Sequence, residues 1–225
     1  MRVGSLFSGI GGFDLGFERA GMSMTWQAET EPFASAVLRK HWPNIPNHGD
    51  VRGIQADTVQ PVDVLCGGWP CQTWSTASRG RSTHPDMWPE VLRLTKALKP
   101  RWLVVENVPR ALHGIDRMAS DLADDDYAVG IVDCDVALPE RQRGRMRGII
   151  VAHSNSNGEP LVPVYDQVAS ICRFAKSVSE TIPGFMGMAD GIPGRMDRLR
   201  VLGNAIPPQI AEAIGRAIMT VEVSQ

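Results

Sequence analysis

The run Trp102-Leu103-Val104-Val105 constrains the fold of this chain more than any other stretch. It is continuously apolar, which is typical of a strand buried on both faces of its sheet. A second apolar run, Val62 to Cys66, lies between turn-forming residues and indicates another buried strand. A sheet covered on both faces requires helices on both sides. The sequence therefore predicts an α/β fold, with a mainly parallel sheet, helices on both faces and functional residues at the strand ends.

The second of these strands leads into an unusual loop, Gly67-Gly68-Trp69-Pro70-Cys71-Gln72-Thr73-Trp74-Ser75. Pro70 fixes its own backbone, and the two glycines allow another group to approach the backbone closely. A free cysteine is most often a small buried apolar residue. Cys71, however, lies in a polar, turn-rich loop at a strand end, so we interpret it as a candidate nucleophile.

The N-terminal segment has the parts of a cofactor-binding turn. A strand over Arg2 to Phe7 is followed by Ser8-Gly9-Ile10-Gly11-Gly12-Phe13, and then by a helix that ends near Gly21. Backbone N–H groups at such a helix start hold anionic groups. The dinucleotide-binding pattern requires glycine where Asp14 stands, and a purely structural turn is the alternative.

Three acidic residues follow predicted strands. Glu29 ends a strand over Met24 to Ala28, about twenty positions after the first glycine, where an acid grips a ribose hydroxyl in such folds. The alternative is a solvated acid. Asp50 either accepts a hydrogen bond from an adenine amino group or caps a turn. Glu106 ends the Trp102 strand, where a carboxylate is costly unless it is paired or used. The alternative for Glu106 is an acid at the start of a helix that begins near Pro109.

Arginines are concentrated in a few short segments. Arg143, Arg145 and Arg147 point to one face if their segment is extended, which indicates either an anionic partner or a solvated basic strand. The net charge of −2 and the pI near 6.2 argue mildly against a nucleic-acid partner. A locally basic cleft is still compatible with these totals.

Several classes of protein are disfavoured by the sequence. No apolar run is long enough to cross a membrane, and the N-terminus has no secretory pattern. The four cysteines lack the spacing of a metal site. These observations predict reduced thiols, no metal and a cytoplasmic location.

The loop around Cys71 resembles the nucleophile loop of the DNA cytosine-5 methyltransferases. Glu106-Asn107-Val108, the arginine segment and Gly203-Asn204-Ala205-Ile206-Pro207-Pro208 also resemble motifs of that family and occur in the family order. Together the motifs cover nearly all of the chain outside residues 154–194. The resemblance implies a fold that binds S-adenosylmethionine and transfer of its methyl group to carbon 5 of cytosine in double-stranded DNA. A monomer is favoured.

The resemblance also implies residue roles. Cys71 would attack carbon 6 of a flipped-out cytosine, Glu106 would bind ring nitrogen 3 and the 4-amino group, and Arg147 would hold the oxygen at position 2. Arg145 matches a further family arginine, whereas Arg143 stands where glutamine is usual. Gln72, Ser75 and Asn107 would contact the substrate. The implied cofactor-binding residues are Phe7, Gly9, Gly11, Glu29, Thr30, Asp50, Val51, Gly68, Pro70, Met87, Asn204 and Ala205. Thr30 stands where the family often has a larger residue.

The chain is predicted to divide into three segments. Residues 1–153 form the catalytic and cofactor-binding domain, and 154–194 form a target-recognition lobe much shorter than is usual in the family. Residues 195–225 complete the catalytic domain, with a helix from about Gln209 to Met219 beside the first strand and helix. The alternative functions are an RNA (tRNA) cytosine-5 methyltransferase and a non-catalytic DNA-binding relative. A nicotinamide-dependent enzyme is disfavoured by Asp14.

Overall fold

A computed structural model describes residues 1–70, 86–107, 115–135, 146–154 and 205–223. Its strands are β1 (Arg2–Leu6), β2 (Ser23–Ala28), β3 (Val64–Gly67), β4 (Trp102–Asn107), β5 (Tyr127–Asp135) and β6 (Met146–Ser154). Its helices are α1 (Gly12–Arg19), α2 (Pro32–His41), α3 (Trp88–Leu98), α4 (Ile115–Ala123) and α5 (Pro208–Val223), with a single 3-10 turn at Val51–Gly53.

The six strands form one sheet in the order β2-β1-β3-β4-β6-β5. Neighbours from β2 through β4 are parallel, whereas β6 is antiparallel to both β4 and β5. The predicted α/β fold with a mainly parallel sheet is confirmed. The antiparallel edge brings the start of β6 beside the end of β4, because Asn107 pairs with Gly148. This pairing places residues from two distant parts of the chain at the same edge of the sheet.

Alternate residues of β4 enter two different cores. Trp102 and Val104 pack on the face that α1 and α5 cover, while Leu103 and Val105 pack on the face that α3 and α4 cover. All four side chains are at most 1% exposed. The continuous apolar run thus reflects a strand buried on both faces, as predicted.

The C-terminal helix α5 packs closely on α1, in agreement with the sequence prediction. Small residues permit the contact, because a Cβ at Gly16 would lie 2.5 Å from the Cβ of Ala211 and 2.5 Å from the carbonyl oxygen of Pro208. Gly12 is equally crowded, since a Cβ there would lie 2.3 Å from the carbonyl oxygen of Ile206. The rear of the first glycine turn is therefore formed by the segment that leads into α5.

Some element boundaries differ from the sequence predictions. β4 extends through Glu106 and Asn107, so Glu106 lies in a strand and does not begin a helix. The sequence predicts a strand from Gly148 to Ala152, whereas β6 starts at Met146, because it pairs with β5 as far as Asp135. The sequence also predicts helices over about 110–123 and over 168–177. Residues 110–114 of the first and the whole of the second lie outside the described residues. No helix in the described part of the chain is both long and apolar enough to span a bilayer.

Candidate active site

The first glycine turn is folded by three left-handed residues. Phe7, Gly9 and Gly11 have φ angles of 48°, 57° and 84°. Gly11 precedes α1, and a Cβ there would lie 2.4 Å from the Trp42 ring, so only glycine fits. Gly9 faces open space, since the nearest atom to a Cβ there would be the Phe7 oxygen at 4.0 Å. Among the described residues no side chain caps the N-terminus of α1.

Glu29 is fixed beside the glycine turn at the end of β2. Its Oε2 accepts a hydrogen bond from the N–H of Gly9 at 2.8 Å, and its Oε1 accepts one from the N–H of Glu31 at 2.7 Å. A carboxylate oxygen has two lone pairs, so each oxygen retains the capacity for a second hydrogen bond. The side chain of Asn47, which sequence reasoning missed, donates to the Glu29 carbonyl and accepts from its N–H. Glu29 is therefore held where it can accept hydroxyl hydrogen bonds.

Asp50 caps the 3-10 turn that contains Val51. Its carboxylate accepts the N–H of Arg52 at 3.0 Å and forms an ion pair with the Arg52 guanidinium. The hydrogen bonds from the Arg52 side chain lower the pKa of Asp50 to about 2. Capping was one of the two predicted roles. The Asp50 side chain remains 41% exposed, so the cap leaves part of the carboxylate accessible.

Beneath the glycine turn lies a buried polar cluster formed by Ser5, Asp14 and Gln27. The Ser5 hydroxyl donates to Asp14 at 3.0 Å, and Gln27 Nε2 donates to it at 2.7 Å. All three residues are at most 1% exposed. Burial raises the pKa of Asp14 to about 6, against the lowering effect of the hydrogen bonds from Gln27 and Ser5. Asp14 was considered in the sequence only as a departure from a glycine pattern.

We expect Asp14→Asn to stabilise the folded protein at neutral pH. Between pH 3.8 and about 6 the unfolded chain loses the Asp14 proton while the folded chain keeps it. Stability therefore falls as the pH rises through this window. The shift of about two pKa units corresponds to roughly 3 kcal/mol at pH 7. Urea unfolding from pH 4 to 7 should show a flatter pH dependence in the variant. Asp116→Asn, an exposed change in the first turn of α4, is the control.

A second group of predicted site residues contains Glu106, at the end of β4, and Arg147. Arg147 Nε lies 2.6 Å from Glu106 Oε1, and the two side chains are 15% and 9% exposed. The pair forms because β6 runs antiparallel to β4, which brings Arg147 next to the end of that strand. Gly68 completes the contact, since a Cβ there would lie 2.9 Å from Glu106 Oε2. A carboxylate and a guanidinium thus form a nearly buried polar pair where the sequence predicted both residues to act.

The segment before Cys71 is held by its neighbours. Asn107 Nδ2 donates to the Trp69 carbonyl at 3.0 Å. The Trp69 ring packs against Trp88, with ring centroids 5.7 Å apart. The indole N–H of Trp88 in turn donates to Asp121 on α4. Asn107, predicted to contact the substrate, is therefore also a structural support for this segment.

We expect Gly68→Ala to slow the methyl transfer that the resemblance implies by about 10- to 100-fold, because the added methyl group would displace the Glu106 carboxylate from Arg147. Single-turnover rates measure the effect. Gly215→Ala is the matched control, since its Cβ would lie 2.7 Å from the Cβ of Ala20, away from Glu106. It should lower the melting temperature and leave the single-turnover rate unchanged. Equal rates for the Gly68 variant and the wild type would show that the position of the Glu106 carboxylate does not depend on Gly68.

Most of the predicted site residues that the structure describes fall into two groups. Phe7, Gly9, Gly11 and Glu29 lie together at the glycine turn, and Gly68, Glu106, Asn107 and Arg147 lie together at the end of β4. Thr30 and Pro70 are exposed, while Met87 and Ala205 are half-buried. Cys71, Gln72, Ser75, Arg143, Arg145 and Asn204 lie outside the described residues, as does the interval 155–204. In the described part of the chain no group of three or more metal-ligating side chains is present.

Solved structures that resemble this chain are methyltransferases. A DNA modification methyltransferase encoded within an E. coli prophage superposes with a TM-score of 0.68 over 99% of both chains, at 18% identity. A variant of Spodoptera frugiperda DNMT2 superposes with a TM-score of 0.55 over 71% of this chain and 52% of that chain, at 15% identity. At these identities the likeness shows the fold alone, which is of the α/β methyltransferase class.

The sequence matches identify the family within that class. A family model described as C-5 cytosine-specific DNA methylase matches residues 1–180. The Type II methyltransferase M.MspI of Moraxella sp. is 32% identical over 68% of this chain and 38% of its own length. M.NgoMIV of Neisseria gonorrhoeae is 40% identical over 45% of this chain and 33% of its own length. This chain belongs to the C-5 cytosine-specific DNA methylase family, and it spans about a third of the length of these curated relatives.

Proposed function

We propose that the protein is a DNA cytosine-5 methyltransferase, which uses S-adenosylmethionine to methylate carbon 5 of a flipped-out cytosine. The observation that carries this proposal is the Glu106–Arg147 pair, in which the two side chains lie 2.6 Å apart beside Gly68. Family membership gives the reaction class. The pair supplies the chemistry that would recognise a cytosine ring.

The Glu106–Arg147 pair suits one edge of cytosine. Oxygen 2, nitrogen 3 and the 4-amino group follow one another along that edge. A guanidinium donates only, so Arg147 matches oxygen 2. The adjacent carboxyl group of Glu106 accepts from the 4-amino group and, when protonated, donates to nitrogen 3. The base must leave the DNA stack to reach groups that are this deeply buried.

Cys71 would supply the nucleophile in this mechanism. Its thiolate attacks carbon 6, and the hydrogen bonds from Glu106 and Arg147 draw the developing charge away from the ring. Carbon 5 then becomes nucleophilic and would accept the methyl group of S-adenosylmethionine, with S-adenosylhomocysteine as the leaving product. Loss of the carbon 5 proton expels the Cys71 thiolate and restores the aromatic ring.

The described residues around the glycine turn fit S-adenosylmethionine. The open face of Gly9 and the uncapped N-terminus of α1 suit its carboxylate, and Glu29 suits its ribose hydroxyls. Asp50 and Val51 would bind the adenine ring, with Phe7, Gly11, Met87 and Ala205 nearby in the family pattern. When bound, this cofactor supplies an electrophilic methyl group on a sulfonium. Its positive charge would also favour the thiolate form of Cys71.

Double-stranded DNA is the proposed substrate and partner. Arg145 and the arginines near residue 198 would contact phosphates, so binding should weaken steeply with salt. Residues 154–194 would form the recognition lobe between the catalytic segments 1–153 and 195–225. A lobe of about forty residues offers few base contacts, each giving about 1–3 kcal/mol of discrimination, so a short target site is proposed.

Transfer of radiolabelled methyl groups tests the function. The purified chain is incubated with labelled S-adenosylmethionine and either plasmid DNA or total tRNA, and methylated DNA is then sequenced after bisulfite conversion. Label in DNA at unconverted cytosines supports the proposal. Label in tRNA alone would support an RNA methyltransferase. DNA binding without any methyl transfer would support a non-catalytic relative.

A further inference from the structure

Arg93 on α3 makes an unusual set of contacts with the turn that contains Val51. Its Nη1 donates to the carbonyl of Ile54 and its Nη2 donates to the carbonyl of Val51, both at 3.0 Å. Its Nε donates to Glu90, one turn earlier on the same helix, at 2.8 Å. The guanidinium thus connects one carboxylate with two main-chain carbonyls of a distant segment.

The turn held by Arg93 is short, and its own support consists of the Asp50 cap and two main-chain hydrogen bonds. It is a single 3-10 turn, closed by hydrogen bonds from the N–H of Gly53 to Asp50 and from the N–H of Ile54 to Val51. One such turn is too short to be stable alone. The two buried side chains, Val51 and Ile54, anchor it below, at 3% and 2% exposure. Arg93 fixes its carbonyls from the side of α3, and a planar guanidinium is suited to such a two-pronged contact.

We propose that Arg93 is a positioning residue for the adenine end of the cofactor. This inference rests on the proposed function, in which Asp50 and Val51 bind the adenine ring. Arg93 hydrogen-bonds to the main chain of this turn, and it acts by fixing the main chain that carries these side chains. The same helix begins beside Met87, another predicted cofactor contact, so Arg93 also ties the two sides of the adenine site together.

The effect should appear in cofactor binding and not in the chemical step. We expect Arg93→Met to raise the KM for S-adenosylmethionine about tenfold, with kcat at saturating cofactor and the KM for DNA within twofold of wild type. Isothermal titration with S-adenosylhomocysteine should show a similar loss of affinity. Methylthioadenosine, which lacks the amino-acid part, should lose affinity by the same factor, because the defect lies at the adenosine end.

Arg216→Met is the matched control. Arg216 on α5 also pairs with a glutamate of its own helix, Glu212, and donates to a carbonyl of another element, that of Arg19. The Arg216→Met variant should bind S-adenosylhomocysteine and methylthioadenosine with wild-type affinity. Arg93→Lys keeps the charge but loses the planar guanidinium that donates to both carbonyls, so it should give an intermediate loss of ligand affinity. Melting temperatures measured without ligand show whether Arg93→Met is folded. If it is not, Arg93→Lys provides the test.

The outcomes separate this inference from the proposed function. Wild-type affinity for both ligands in a folded Arg93 variant would overturn the role of Arg93 and leave the methyltransferase assignment intact. If Arg93→Met weakens ligand binding and the wild type does not methylate DNA, the positioning role is supported and the proposed substrate is overturned. A wild-type protein that does not bind S-adenosylhomocysteine would overturn both.

Discussion

Cys71→Ser should abolish turnover and leave cofactor binding nearly intact. A serine hydroxyl is far less nucleophilic than a thiolate at neutral pH, so attack on carbon 6 should fail. Most of the proposed cofactor-binding residues lie at other strand ends, around Gly9 and Glu29, so the variant should still bind S-adenosylhomocysteine. Methyl transfer to DNA and isothermal titration measure the two properties separately.

A trapping experiment gives a second readout for Cys71. DNA containing 5-fluorocytosine should form a covalent complex with the wild type, because fluorine at carbon 5 blocks the elimination step. Cys71→Ser should form none on a denaturing gel. Cys134→Ala is the control, since that cysteine is fully buried within β5. Wild-type activity in the Cys71 variant would remove this residue from the mechanism.

Glu106→Gln should cost at least two orders of magnitude in the single-turnover rate. Glutamine preserves the size of the side chain but cannot supply a carboxylic proton to nitrogen 3, and the loss of a positioned proton donor is typically worth about 10²–10⁴-fold. The change also leaves Arg147 without the carboxylate that lies 2.6 Å from it. Both effects act on the step in which charge develops on the cytosine ring.

Glu222→Gln is the matched control for Glu106. Glu222 is a carboxylate of 12% exposure that pairs with Arg101 and accepts the indole N–H of Trp102, at the opposite end of β4. Its replacement should reduce stability without slowing the chemical step. If Glu106→Gln weakens DNA binding and leaves the single-turnover rate unchanged, Glu106 is a contact residue and not a participant in the chemistry.

Local sequence patterns predicted individual strands of the sheet, but they did not predict which strands lie side by side. The apolar run of β4 and the turn after β3 are local patterns, and both were recognised. The antiparallel placement of β6 against β4 depends on pairing between residues about 40 to 50 positions apart, which no local pattern encodes. For this reason Glu106 and Arg147 were each predicted as site residues, while their ion pair was not.

The buried cluster around Asp14 shows the same limit. An acidic residue in the first turn of a helix is usually a solvated group that favours the helix dipole. Asp14 is instead fully buried, because Ser5 on β1 and Gln27 on β2 converge on it from neighbouring strands. Arg93 was likewise missed, since its partners are main-chain carbonyls and carry no residue type that a sequence could reveal.

The contact between α1 and α5 has a consequence for how the protein is made. Ile206 and Ala211 lie against Gly12 and Gly16 of α1, about 195 positions earlier in the chain. During synthesis the glycine turn emerges early, but its rear packing surface at Ile206 and Ala211 is translated much later. A nascent chain should therefore bind no cofactor until α5 has left the ribosome, and ribosome-stalled chains that stop before residue 205 should expose the apolar side of α1 to chaperones.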